Sequence, residues 1–191
     1  MINGFDFSHH QTMQTINNQL AKAPGFIFHK ITEGSTYRDP EVFNRLSLVK
    51  KCPFFFYHYL RADKGNIDGE VNNLINALTL TGLSSSEYGV AIDVEYSSKT
   101  GGTRNTDFEY FKRFMTALES KLKKRYIIYM PDLYGAVWYN YIREKDYGLW
   151  IARYRSKRPD HACDFWQFTS SPVDQDVFYG SEEKLKTFLE G

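Results

Sequence analysis

The sequence is short of the features that mark several broad protein classes. It has two cysteines in 191 residues, Cys52 and Cys163. Neither has metal-ligand spacing, and two cysteines alone do not make a disulfide framework; whether they pair or remain buried thiols is left open. Charge of one sign is missing too. The 24 basic and 23 acidic residues leave a formal net charge of +1, which gives no reason to expect nucleic acid or an anionic membrane as a partner. No run approaches the ~18 apolar residues of a membrane span, so no membrane insertion is expected. The N-terminus lacks the charged-then-apolar layout of a signal peptide. With no repeat, low-complexity tract or linker, the chain is expected to form one domain over residues 1–191 around one core.

Aromatic residues are plentiful: 14 Tyr, 15 Phe and 3 Trp make up 17% of the chain. Most such rings belong to cores, and the same residue types line clefts that stack the flat faces of sugars. Short apolar runs alternate with helix-like segments along the whole length. Strands are expected over Ile2–Ser8, Phe26–Thr32, Pro53–Leu60, Tyr88–Tyr96, Tyr126–Met130, Leu149–Tyr154 and Asp164–Thr169. Helical patterns occupy Met13–Ala23, Pro40–Lys50, Ile67–Thr81, Asp107–Lys123, Tyr134–Tyr141 and Glu182–Leu189. Asp39-Pro40-Glu41 has the make-up of a helix start, and Thr106 or Asp107 can cap the helix carrying Phe108, Phe111, Phe114, Met115 and Leu118. This alternation predicts an α/β fold, a single-domain irregular (β/α) barrel that is TIM-barrel-like with a less regular C-terminal part.

The run Tyr88-Gly-Val-Ala-Ile-Asp93-Val-Glu95-Tyr96 carries the chemistry. Alternation along a strand puts Asp93 and Glu95 on one face and Ile92 and Val94 on the other. Crowded carboxyls repel and desolvate each other, which leaves one protonated beside one ionised, the combination used in acid–base hydrolysis of a glycosidic bond. Other runs also place polar groups late: Asp6 and Ser8; Lys30, Thr32 and Glu33; Tyr57, His58 and Tyr59; Trp166 and Gln167, with Asp174 soon after. In a parallel barrel these ends meet on one face. The polar loop Ser97–Asn105, with Gly101-Gly102, is expected to rim that site. His9-His10 beside Asp6 raises a metal alternative, but neighbouring strand residues face opposite ways, so no metal is expected.

These residues also carry a family resemblance. Asp6-Phe7-Ser8, Lys30-Ile-Thr32-Glu33-Gly34 followed by Tyr37-Arg-Asp39-Pro40, Tyr57-His58-Tyr59 and Asp93-Val94-Glu95 occur in an order that resembles glycoside hydrolase family 25, the lysozyme-type muramidases. Leu149-Trp150-Ile-Ala152-Arg-Tyr154, Trp166-Gln167-Phe168 and Val173-Asp174 resemble its C-terminal elements. Asp176 departs from the pattern, because the family more often has a neutral residue there.

The resemblance implies a cofactor-free enzyme that cleaves the β-1,4 bond between N-acetylmuramic acid and N-acetylglucosamine. It implies Glu95 as proton donor, Asp93 and Asp6 as acids beside the reacting sugar, and Asp174 as a further cleft carboxylate. On chemical grounds Asp93 is expected to stay ionised while Glu95 holds the proton. Lys30, Glu33, His58 and Gln167 are candidate substrate contacts, and Tyr57, Tyr129, Trp150 and Trp166 candidate sugar platforms. The residues leave open a related N-acetylhexosaminidase acting on chitin-like chains, or a carbohydrate-binding barrel without turnover. Peptidoglycan strands are the expected partner of a monomer, with an inhibitor or immunity protein as a possible second one. Action at the cell wall or periplasm requires release by lysis, a holin or a secretion system, or a leader already removed.

Overall fold

The computed structural model describes residues 1–95, 104–171 and 173–190. Runs such as Phe26-Ile27-Phe28 and Phe54-Phe55-Phe56 are apolar on both faces, which suits strands covered on both sides. In chain order the main elements are β1 (Ile2–Phe7), α1 (Met13–Leu20), β2 (Phe26–Glu33), β3 (Tyr37–Arg38), β4 (Phe54–Tyr59) and α2 (Ile67–Leu80). There follow β5 (Gly89–Asp93), α3 (Arg104–Lys121), β6 (Tyr126–Pro131), α4 (Ala136–Glu144), β7 (Gly148–Ala152), β8 (Phe165–Thr169), β9 (Gln175–Phe178) and α5 (Glu182–Lys186).

The strands run β1-β9-β8-β7-β6-β5-β4-β2, and β1 pairs back onto β2, so eight strands close a barrel. The two-residue β3 extends the sheet at the far end of β2, opposite Thr32 and Glu33. Six neighbouring pairs in the ring are parallel. Strand β9 is antiparallel to both of its neighbours. The expected (β/α) barrel with a less regular C-terminal part is what forms. Strands β3 and β9 are the two that the apolar pattern did not predict. In β9 the reason is local: Asp174 and Asp176 alternate with Gln175 and Val177, so a polar series points into the barrel and the run does not look apolar.

Side-chain alternation splits the core in two. Phe26, Phe28, Phe55, Ala91, Ile127, Trp150, Phe165 and Phe178 fill the barrel, joined from below by Leu185 and Phe188. Phe28 stacks on Trp150 with ring centroids 4.0 Å apart, and Phe165 lies 4.7 Å from Phe178. Gly4 leaves room for this plug, since a Cβ there would meet the Phe26 ring at 2.3 Å. The opposite strand faces, including Ile27, Phe54, Phe56, Ile92 and Val94, pack against the helices. There Val71, Leu74 and Leu78 of α2 meet Phe111, Phe114, Met115 and Leu118 of α3. Helix α3 begins at Arg104, ahead of the cap expected at Thr106 or Asp107. The segment expected to be helical over Pro40–Lys50 is a 3-10 helix at Phe43–Lys50. The Asp39 carboxylate accepts the Glu41 N–H at 2.9 Å to start the turn, and Arg45 is drawn inward towards the β1–α1 loop.

A polar network crosses the outer layer. The fully buried Glu70 accepts hydrogen bonds from Tyr110 Oη at 2.6 Å and from the Arg61 N–H at 3.0 Å, and its Oε2 lies 3.0 Å from His58 Nε2. His58 Nδ1 lies 2.8 Å from Thr32 Oγ1. This ties β2, β4, α2 and α3 together behind the sheet. Replacing Glu70 by Ala strands three buried groups, so a loss of about 3 kcal/mol in unfolding free energy is expected by urea titration. A loss below about 0.5 kcal/mol would show that the network contributes little.

Candidate active site

Parallel strands bring their C-terminal ends to one mouth of the barrel, and the alternation that puts phenylalanines in the plug puts polar residues above it. Asp6 and Ser8 come from β1 and its end, Lys30 from β2, Tyr57 and Tyr59 from β4, and Asp93 and Glu95 from β5 and just beyond. Tyr129 comes from β6, Trp150 from β7 and Gln167 from β8. Because β9 runs the other way, it is the start of β9 that reaches this mouth, and Asp174 joins the group there. Together with His10, Gln11 and Tyr154 these residues line a cleft of about 260 Å³. A second, wider groove of about 640 Å³ adjoins it and shares Glu95, Tyr129 and Tyr154. Asp132, Leu133, Arg153, Arg155 and His161 form much of the rest of its wall.

The strand carrying the central acids ends at Asp93, earlier than the Tyr96 expected from sequence. Val94 nevertheless continues the pairing, its N–H donating to the Tyr129 carbonyl at 2.9 Å. Alternation therefore persists for one more step: Val94 is buried against the helices and Glu95 returns to the cleft. The β1–α1 loop is fixed from behind. Buried Arg45 donates to the Ser8 carbonyl at 2.8 Å and to the Gln11 carbonyl at 2.7 Å, and buried Asp39 accepts the His9 N–H at 2.8 Å. His9 thus turns towards Asp39 and Tyr37, while His10 lines the cleft.

Burial dominates the electrostatics. Asp93 is 7% exposed and its Oδ1 has no hydrogen-bond partner among the described residues. Desolvation, then the charge of Glu95, pushes its carboxyl well above the usual range. Glu95 is raised as well, by desolvation from the cleft walls, but the Tyr59 hydroxyl at 3.4 Å and the charge of Lys30 hold it back. The sequence reading put the proton on Glu95 and left Asp93 ionised. The stronger upward push nevertheless falls on Asp93, because Asp93 is enclosed and Glu95 reaches solvent. Burial and the charge of Asp174 push Asp6 up to about 8, and burial pushes Asp174 up to about 6. Lys30 makes its ion pair with Glu33 at 2.5 Å, and Arg61 holds the other Glu33 oxygen at 2.8 Å.

The structure thus brings together Glu95, Asp93, Asp6, Asp174, Lys30, Tyr57, Tyr129, Trp150 and Gln167. Glu33 stands behind Lys30, outside the residues that line the cleft. Two candidates lie elsewhere. His58 is on the outer face of β4, fully buried against Glu70 and Thr32 and stacked on Phe114, because it alternates with Tyr57 and Tyr59. Trp166 faces outward from β8, where its Nε1–H donates to the Arg153 carbonyl at 2.9 Å. Trp150, 2% exposed, forms the floor of the cleft and offers no open platform. Tyr59 and Tyr154 were not among the expected contacts. Tyr59 follows from the period-two spacing with Tyr57. Tyr154 lies past the end of β7 but keeps the period-two spacing from Trp150 within the strand expected over Leu149–Tyr154, which puts it on the cleft face. The loop expected at Ser97–Asn105 lies almost wholly outside the described residues.

Comparison with known proteins agrees with this geometry. The family model described as glycosyl hydrolases family 25 matches residues 5–177. An uncharacterized protein of Escherichia coli (strain K12), YegX, is 28% identical over 184 residues, 87% of this chain and 63% of its own length. The chain therefore spans a little under two thirds of that relative. A muramidase from Acremonium alcalophilum superposes with a TM-score of 0.79 at 20% identity, covering 100% of both chains. The catalytic domain of endolysin ply40 from bacteriophage P40 of Listeria monocytogenes gives 0.75 at 24% identity, covering 98% of each. With its family model matching residues 5–177, most of the chain, this chain belongs to glycosyl hydrolase family 25.

Proposed function

We propose that the chain is a catalytic domain that hydrolyses peptidoglycan as a muramidase, cutting the β-1,4 bond between N-acetylmuramic acid and N-acetylglucosamine, and that it acts at the bacterial cell wall. The observation that carries this reading is the position of Glu95. It is shared by the small acid-lined cleft and the wider groove beside it. A glycan with one sugar in each brings the linking oxygen to Glu95. Family membership and the muramidase and endolysin neighbours support the substrate class.

Glu95 is the general acid. The charge of Glu95 raises Asp93, so the two hold protons as a pair. A saccharide laid across Glu95 removes the water that stabilises its charge, which favours the protonated form there. Glu95 gives that proton to the leaving oxygen as the bond to C1 breaks. The acetamido carbonyl oxygen of the same sugar closes onto C1, with Asp93 accepting from the acetamido N–H. Water then attacks C1 and returns a proton to Glu95. Asp6 and Asp174 add negative charge, once ionised, opposite the developing oxocarbenium ion. Tyr57, Tyr59, Tyr129 and Tyr154 present ring and hydroxyl surface to the sugars.

Glu95→Gln keeps the shape of the side chain and removes its proton chemistry. Turnover of purified peptidoglycan should fall by roughly 10²-fold or more with the melting temperature not lowered. A variant that retains most of its activity would defeat the assignment. NMR of the first-formed product should show the β anomer, and an α product would exclude the acetamido route.

The raised carboxyls also cost stability. An acid with a folded pKa above its unfolded value binds more protons folded than unfolded, so stability is lost as pH rises from the unfolded to the folded pKa. For Asp174 this window runs from 3.8 to about 6. Asp174→Asn should therefore gain stability over the parent between those values and keep a constant advantage above them. Thermal melts of both proteins across that range test this, and a difference that does not change with pH would contradict it.

A further inference from the structure

Below Asp6 lies a second buried acid that the proposed mechanism does not use. Asp176 is fully buried, between the aromatic plug and the cleft floor. In the sheet it stands opposite Gly4 of β1 and Gln167 of β8, which turns its side chain into the barrel beneath Asp6. Its Oδ1 accepts the Trp150 Nε1–H at 2.8 Å. Its Oδ2 is buried and meets no N–H or hydroxyl donor among the described residues. The group within hydrogen-bonding reach is the carboxyl of Asp6.

Two ionised carboxylates in contact inside a protein repel each other and each lacks solvation, so at least one proton must lie between them. The surroundings decide where it sits. Asp6 Oδ2 receives the Gln167 Nε2–H at 2.7 Å, and Gln167 is held in that orientation by the hydroxyls of Tyr129 at 3.0 Å and Tyr154 at 2.7 Å, both donating to its Oε1. Asp6 also touches the cleft. Asp176 is fully buried and among the described residues receives only the indole N–H. Other charges facing the pair favour neutrality: Asp174 from β9 and Asp93 and Glu95 from the end of β5 are acidic, and Lys30 of β2 is engaged by Glu33. The hydroxyl of Tyr57 from β4 completes the ring of titratable groups.

We infer that Asp176 is a positioning residue, a buried carboxylic acid that keeps its proton and donates it in a hydrogen bond to Asp6, so that Asp6 is oriented from below as Gln167 orients it from the side. Asp6 is then the member that titrates. Burial and the neighbouring Asp6 push Asp176 well above the carboxylate range, in line with this order. The catalytic meaning of the pair rests on the muramidase reading, whereas its protonation does not.

The test uses two variants and one spectroscopic readout. In Asp176→Asn the amide N–H replaces the acid proton and the amide oxygen still accepts from Trp150. Turnover should stay within about threefold of the parent and the pH profile should not move. Asp176→Ala removes the donor to Asp6 and the acceptor for Trp150. Turnover should fall about tenfold or more, and the limb governed by Asp6 should move to higher pH. With ¹³C-carboxyl-labelled aspartate, the resonance that disappears in Asp176→Asn should keep a protonated shift from about pH 5 to about pH 8. An ionised shift at neutral pH, or a displaced profile in Asp176→Asn, overturns the inference. So does an Asp176→Ala protein that folds and keeps the parent profile. Should Asp176→Ala fail to fold, the Asn variant and the resonance still decide. A protein inactive on peptidoglycan would defeat the functional reading, and the resonance would still test the protonation of Asp176.

Discussion

Crowding of carboxyl groups above a sealed aromatic plug is the constraint on which the rest of this structure depends. Phe26, Phe28, Phe55, Phe165 and Phe178 fill the lower barrel, so no water enters from below to solvate Asp6, Asp93 or Asp176. Those acids must keep protons, receive hydrogen bonds, or both. The tyrosine hydroxyls on Gln167, the indole of Trp150 on Asp176 and the amide of Gln167 on Asp6 are the groups that make the cluster tolerable. All but Tyr154, which follows the end of β7, stand on strands, so the geometry of the cluster is set mainly by barrel register.

The same constraint explains which parts of the structure can be read from the sequence. Runs such as Phe54-Phe55-Phe56 and Ala91-Ile92 have strong apolar patterns, and they became strands close to where the pattern put them. The pairing of Asp93 with Glu95 on one face follows from period two alone, and the structure keeps it even though regular strand ends at Asp93. Strand β9 was hidden because its inward face is acidic, and an acidic inward face makes sense only once Asp6, Gln167 and Trp150 are known to be its neighbours. That information lies 161 residues away along the chain in the case of the Gln167–Asp6 contact. His58 shows the reverse error. A histidine between two cleft tyrosines looks like a site residue until alternation is applied, and alternation sends it outward to Glu70. How the upward push divides between Asp93 and Glu95 is also beyond sequence, since it turns on which of the two is enclosed.

Inside and outside the barrel, polar groups are handled in different ways. The outer network of Thr32, His58, Glu70, Tyr110 and the Arg61 N–H is well supplied with partners and adds buried hydrogen bonds to the apolar contacts between sheet and helices. Arg45 and Asp39 do similar work for the loop carrying Ser8 and Gln11. Inside the mouth, by contrast, Asp93 Oδ1 and Asp176 Oδ2 lack ordinary donors. Two further buried atoms without a partner among the described residues, Gln19 Oε1 and Arg45 Nε, lie outside the mouth, so what sets the mouth apart is that its two are carboxylate oxygens that a ligand or a moving proton can satisfy.

This division bears on why the central acid lies just past the end of its strand. An acid one step further down, at the position of Asp93, is held rigidly and lines the small cleft but not the wider groove. An acid on a free loop reaches the saccharide but is not held. Glu95 follows Val94, whose N–H is still bonded to the Tyr129 carbonyl and whose side chain is locked into the helix-facing core. The backbone leading to Glu95 is thus fixed by the sheet, while its carboxyl stands where the small cleft opens into the wider groove. Rigid support and access to a polymer meet at one residue because the pairing with β6 outlasts the regular strand by a single hydrogen bond.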